Sequence, residues 1–332
     1  MKRLGAALIA LALTWNGGAA GQGVQVASDP IPLYPTRPDD RIAGRLLYRG
    51  GLVLSSRAGA FGGWSGLTVS ADGLRILAIS DEAHWLTGRL VYDIRGDLDG
   101  LTDAEIFPML GIDGQPMEGK DGDAEGLAAI TPNWLDGPVL VSFEREHRIW
   151  RYDLSSGVSK ARPALVPIGS WTQILGENEG MEGIVLLEPG AFLVISENGL
   201  DANGDLRAAI ESYSRGGMTQ LLGLARHPPY MVTDAALTHD GSLLILERRF
   251  TIAGGIGMEL RKLDARLIRE GARLTGEIVA ELAAHDANID NMEGLAVRRG
   301  ADGETLVYVM SDNNYQPLLQ RTLLLMFQLE RE

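Results

Sequence analysis

The chain has no cysteine. Disulfides, thiolate metal sites and thiol nucleophiles are therefore excluded, and stability has to come from packing. No serine sits in the Gly-x-Ser-x-Gly elbow of a hydrolase: Ser65 has Gly63 two residues before it but Leu67 two after. A glycine-rich phosphate loop and a His-Glu-x-x-His pair are also missing. Positive charge is in deficit, with 30 Lys and Arg against 44 Asp and Glu, a formal net charge of −14. Such a surface repels phosphate backbones, so no nucleic-acid partner is expected. It suits cations, or anions held through a cation.

Long apolar runs are absent too, apart from one at the start. Met1-Lys2-Arg3 is basic, residues 4–14 (LGAALIALALT) are apolar but too short to span a bilayer, and Gly18, Ala19 and Ala20 are small. This is the pattern of a signal peptide over residues 1–20, cleaved after Ala20. It predicts a periplasmic or secreted protein with no stable membrane insertion once the leader is gone. Residues 21–41 carry four prolines and read as an extended lead-in to one domain over 42–332.

What the chain has is a phrase repeated five times. A small or acidic residue is followed by Gly or Ala and an apolar strand. A polar turn and a second apolar strand follow, the latter usually ending in a carboxylate. The copies begin at Ser65-Gly66, Glu125-Gly126, Glu182-Gly183, Asp234-Ala235 and Glu293-Gly294. Their second residues lie 60, 57, 52 and 59 positions apart. A β-rich repeat of this length is a propeller blade. Asp72-Gly73, Asp240-Gly241 and Asp302-Gly303 supply hairpin turns between the first two strands. The expected fold is all-β, a single propeller of five four-stranded blades. The fifth repeat lacks an outer strand, which 45–55 (RLLYRGGLVLS) can provide, closing the ring with strands from both ends. Six blades remain an alternative, because 21–64 is long enough to hold further strands. A two-domain β-sandwich would not explain the spacing. A weak helical period occurs only near 99–107.

In a propeller the start of each first strand and the end of each second strand share one mouth. The repeat therefore gathers carboxylates there. Glu125, Glu182, Glu293, Glu197, Asp312, Asp234 and Asp123 are the candidate metal ligands. Two unit charges 4 Å apart repel by about 1 kcal/mol in water and about 4 kcal/mol at an effective dielectric of 20. Cations, arginine partners or raised pKa values must offset this. Many hard oxygen ligands favour Ca²⁺. Glu144 is a candidate proton acceptor, Arg145 and Arg248 are candidate anion holders or counter-charges, and His285 is a candidate proton carrier. The loop 200–206 (LDANGDL) alternates acids like half of a calcium loop but lacks the Glu at position twelve.

The segments GDAEGLAAI, ENEGMEGIVLL, NMEGLAV and VYVMSDNNYQPLLQRTLLLMFQL resemble the phytase-like family called "esterase-like activity of phytase" over roughly residues 42–330. The resemblance implies an exported bacterial β-propeller with phosphoesterase or esterase activity. Propeller phytases are calcium-dependent. The expected function is an exported, metal-dependent hydrolase of a phosphate ester or other ester, acting on a small molecule. A calcium-dependent lactonase or arylesterase, with Trp64, Trp85 and Trp171 lining an apolar pocket, is one alternative. A non-enzymatic ligand- or partner-binding propeller is the other. If the leader is read correctly, N-terminal sequencing of the exported protein begins at or near Gly21. An intact Met1 on cytosolic protein would contradict it.

Overall fold

The computed structural model describes residues 22–330 except 118, 178 and 213–216. The expected leader and its cleavage site lie outside the described residues. Within them, each apolar run that lacks a helical period forms a strand. The second strand of every repeat is the clearest case. It is apolar on consecutive residues because both of its faces are covered.

Five sheets result. Blade one runs outward through Trp64–Val69, Arg75–Ser80, His84–Tyr92 and Leu98–Pro108. Blade two has Ala124–Ala129, Pro138–Phe143, Arg148–Asp153 and Pro163–Val166. Blade three has Met181–Glu188, Ala191–Leu200, Leu206–Ser212 and Met218–Leu224, with Arg273–Leu274 added in parallel at its edge. Blade four has Met231–Leu237, Ser242–Thr251, Gly255–Asp264 and Glu277–Ala283. Blade five has Asn291–Arg299, Thr305–Asp312 and Thr322–Leu329, and Leu46–Ser56 completes it, pairing Leu323 with Val53 and Leu329 with Leu46. The ring thus has five blades and closes with strands from both ends, as the repeat count predicts. The first strands neighbour one another in order, and that of blade five returns to that of blade one. This excludes the sandwich.

Two local readings change. Residues 98–108, which include the weak helical period, form the outer strand of blade one. The proline-bearing lead-in contributes Gln22–Gly23 to the edge of blade one and Val26–Pro30 to the edge of blade five.

The core is divided among the blade interfaces. Alternate residues of each second strand face opposite neighbours. Ile76 and Ala78 pack against blade five, whereas Leu77 and Ile79 pack against blade two. Leu244 and Leu246 face blade five, and Leu243 and Ile245 face blade three. Five apolar clusters follow, one per interface.

The glycine of the repeat has its reason at the axis. A Cβ on Gly126 would lie 2.4 Å from the Glu182 carbonyl oxygen and 2.5 Å from Ser142 Oγ. On Gly183 it would meet Ala235 Cβ at 3.2 Å. Gly126→Ala is therefore expected to destabilise by about 1–3 kcal/mol through overpacking, and Gly183→Ala by clearly less. Denaturant titration of both variants checks the order.

Candidate functional site

Each blade carries a one-residue slip in its first ladder at the mouth. Such bulges re-aim a side chain. In blades three and five the extra residue is Glu182 and Glu293; in blade two the slip spans Glu125. In blades one and four it is Ser65 and Thr233. These hydroxyls play one role. Ser65 Oγ donates to the Ala124 carbonyl at 3.0 Å and Thr233 Oγ1 to that of Met292 at 3.1 Å, each just before the next blade's glutamate.

The fourth repeat is accordingly Thr233-Asp234, not Asp234-Ala235. Asp234 occupies the glycine position. It is buried, and its two oxygens accept the Ala235 and Leu295 amides, both at 2.7 Å. It staples blade four to blade five and belongs to neither of the two carboxylate groups that meet at the mouth.

The other predicted carboxylates do converge. Oxygens of Asp123, Glu125 and Glu144 lie within 4.8 Å of one another, and so do those of Glu144, Glu182 and Glu197. Glu144, read as a candidate proton acceptor, is the vertex shared by both groups. Its Oε1 also accepts the Gly180 amide at 3.0 Å. Asp312 and Asp81 close the second strands of blades five and one beside them. Of these residues all but Asp81, Glu125 and Glu197 are buried, and those three are partly so.

Both candidate arginines are ion-paired. Arg248 reaches Glu197 Oε1 with Nη2 and Glu293 Oε1 with Nε, each at 3.1 Å. Arg145 pairs with Asp123. Asn291 Nδ2 donates to Glu293 Oε1 at 2.7 Å. Two guanidinium groups thus face eight carboxylates: Asp81, Asp123, Glu125, Glu144, Glu182, Glu197, Glu293 and Asp312.

The remaining repulsion appears as raised pKa values. Burial pushes Glu125 and Glu182 well above the usual carboxylate range, aided by the charge of Glu182 on the first and Glu197 on the second. Burial raises Glu293 to about 7 despite Arg248, and Glu144 to about 7 despite the Gly180 amide. Asp312 rises to about 6, again by burial. Asp81 rises to about 8 through burial and the charges of Asp312 and Asp123, and its Oδ1 is buried without a hydrogen-bond partner. Coulombic attraction, chiefly from Glu293, holds the Arg248 proton more firmly still.

Several other candidates lie elsewhere. His285 is exposed in the loop after Glu277–Ala283, beside the Arg37–Asp286 pair, and takes no part in the carboxylate groups. Trp64 and Trp85 are fully buried in the core. Trp171 is buried with its Nε1 donating to Glu211, and it borders a cleft with Leu221 and Leu222 at the outer edge of blade three. The three tryptophans therefore do not form one apolar pocket over the carboxylates. Loop 200–206 is a turn: Asp201 Oδ1 accepts the Asn203 and Asp205 amides, and Asp205 pairs with Arg273. Sequence reasoning missed the hydroxyl role of Thr233. It was signalled only by its place two residues before the apolar run.

A family model described as "Esterase-like activity of phytase", phytase-like, matches residues 59–315. No curated protein matches. Among solved structures, the β-propeller domain of Myceliophteria thermophila Cps50 (Swd1) is similar at 10% identity and a TM-score of 0.42, covering 90% of this chain and 99% of that one.

The raised carboxylates give the metal-free protein a distinct pH response. An acid whose folded pKa exceeds its unfolded value of about 4 binds more protons when folded. Its cost is absent below that value and grows as pH rises through the folded pKa. With Asp312 at about 6, Glu144 and Glu293 at about 7 and Asp81 at about 8, the melting temperature in chelator should fall across that window. A rise between those pH values would contradict the assignment.

Proposed function

Because the chain belongs to the phytase-like family described by esterase-like activity, we propose that its acidic mouth is a cation-dependent ester-hydrolysing site whose substrate is a phosphate ester. The observation that carries this is the pair of carboxylate groups sharing Glu144. Ca²⁺ takes six to eight oxygens at about 2.3–2.6 Å, so oxygens up to roughly 5 Å apart can surround one ion. The donor set is all hard oxygen, and the buried, unpartnered Asp81 Oδ1 is a further polar atom awaiting a partner. The residues fit the ion.

Asp123, Glu125 and Glu144 would hold one cation, with Glu182 and Glu197 extending the site from Glu144. When bound, the ion offsets the mouth's charge and supplies Lewis acidity toward an ester oxygen. The chain's own groups divide the rest. Arg145 has a 38% exposed side chain and pairs with Asp123. It is the arginine placed to receive an anionic substrate. Arg248 is locked between Glu197 and Glu293 and acts as a fixed counter-charge. Asp81, whose carboxyl is pushed up to about 8 by burial and by the charges of Asp312 and Asp123, stands beside this group at the end of the second strand of blade one.

Excess Ca²⁺ should raise the melting temperature, since a ligand at 100 times its Kd adds about 2.7 kcal/mol. Glu144→Gln, which removes the shared vertex, should abolish most of that gain without lowering the chelated protein's melting temperature. A panel of phosphate esters, carboxyl esters and lactones, with and without chelator, identifies the reaction. Identical melting of the wild type in calcium and in chelator would overturn the cation site. Calcium binding without turnover would leave a ligand-binding propeller.

A further inference from the structure

The large apolar side chains that the fold leaves in water are not spread evenly. Among the described residues, fifteen large apolar side chains are exposed, and the uneven spread concerns the eight most exposed of them. Six of these are Ile112, Ile174, Phe250, Ile252, Leu318 and Leu319. Topology puts all six on one face. The connections between blades run from the end of a fourth strand to the start of a first strand, which is the mouth end. Ile112 lies between Leu98–Pro108 and Ala124–Ala129, and Ile174 between Pro163–Val166 and Met181–Glu188. The turns between second and third strands are at the same end. Phe250, at the end of Ser242–Thr251, and Ile252, just after it, lie at the tip of the hairpin with Gly255–Asp264, and Leu318 and Leu319 lie between Thr305–Asp312 and Thr322–Leu329. The acidic mouth is therefore surrounded by apolar tips from four separate connections. Arg145 and Arg321, with side chains 38% and 42% exposed, stand on the same face.

This anatomy is the inverse of a protein–protein interface, which has an apolar centre and a polar rim. Here the centre is charged and the rim apolar. Tips that stand apart around a ring suit a fluid surface, where each can enter independently. The acidic centre repels anionic headgroups. A zwitterionic headgroup instead offers its cation to the centre and its phosphate to the rim arginines. We propose that the mouth face docks on a phospholipid–water interface of zwitterionic headgroups, with the six apolar tips entering the acyl boundary. The protein would lie on such a surface rather than span it. The proposal does not depend on hydrolysis at the mouth.

Flotation of the full chain with phosphatidylcholine vesicles tests it, beside phosphatidylglycerol vesicles and in calcium or chelator. The wild type should float with phosphatidylcholine, and bind phosphatidylglycerol only when calcium is present. The pairs Phe250→Ser with Ile252→Ser, and Leu318→Ser with Leu319→Ser, should each lower affinity by roughly tenfold or more, as expected for apolar side chains withdrawn from burial. Melting and turnover of a soluble ester should be unchanged in both, which separates this outcome from any failure of the mouth chemistry. Absence of wild-type flotation, or flotation of both variants at wild-type affinity, overturns the proposal. So does concentration-dependent self-association of the wild type, seen by sedimentation and lost in the variants. The face would then join two copies of the chain.

Discussion

Everything at the mouth follows from how closely five first strands approach one axis. A Cβ at Gly126 would meet the neighbouring backbone at 2.4 Å, and at Gly294 it would meet Leu67 at 2.9 Å. Backbones come this close at the glycine positions near the mouth, while farther along the first strands line a central cavity with apolar residues such as Leu127, Val185 and Leu295, so the polar groups gather at the mouth. The one-residue bulges occur at that end, where they turn Glu182 and Glu293 toward the opening. Steric crowding thus determines where the charge goes. The same crowding makes Asp234 useful, because a short carboxylate at a glycine position can reach the amide of Leu295 on the next blade.

Crowding like charges has an electrostatic cost that the fold only partly offsets. Arg248 sits where it serves two glutamates, and Arg145 serves Asp123. The blades contribute unequally. Blades two and three bring five carboxylates into the two overlapping groups, whereas blade four contributes Arg248 and no free acid. Glu247, which precedes Arg248 on the same strand, points away from the mouth and is held by the buried Arg261. A ring that is nearly five-fold in backbone is therefore lopsided in charge, with a cation-hungry side and an arginine side.

Much of this could be read in the sequence, for a definite reason. Second strands covered on both faces have to be apolar throughout, and runs such as LAIS and LVIS fit little else in a chain without helical periods. The completion of blade five by Leu46–Ser56 could be read because a missing strand leaves a countable gap. The misassignment of Asp234 came from aligning residue types. A bulge shifts register by one residue, and only the ladder shows whether Thr233 or Asp234 is the extra one. Arg248 could be read as a counter-charge but its particular partner could not, since Arg248 and Glu293 are brought together by the ring and not by neighbourhood in the chain.

One edge of Leu46–Ser56 pairs with the nearby Val26–Pro30, but the other finds its partner in Thr322–Leu329, far along the chain. During synthesis that second edge waits unpaired until Thr322–Leu329 has been made. The interface between blades five and one, with Leu52, Leu54, Leu324 and Met326, cannot exist before then. Closing so distant a pair is slow, because loop entropy must be overcome before any contact repays it. Closure of the ring is thereby deferred until Thr322–Leu329 has emerged, and a ribosome-bound fragment without it remains an open arc with an unpaired edge.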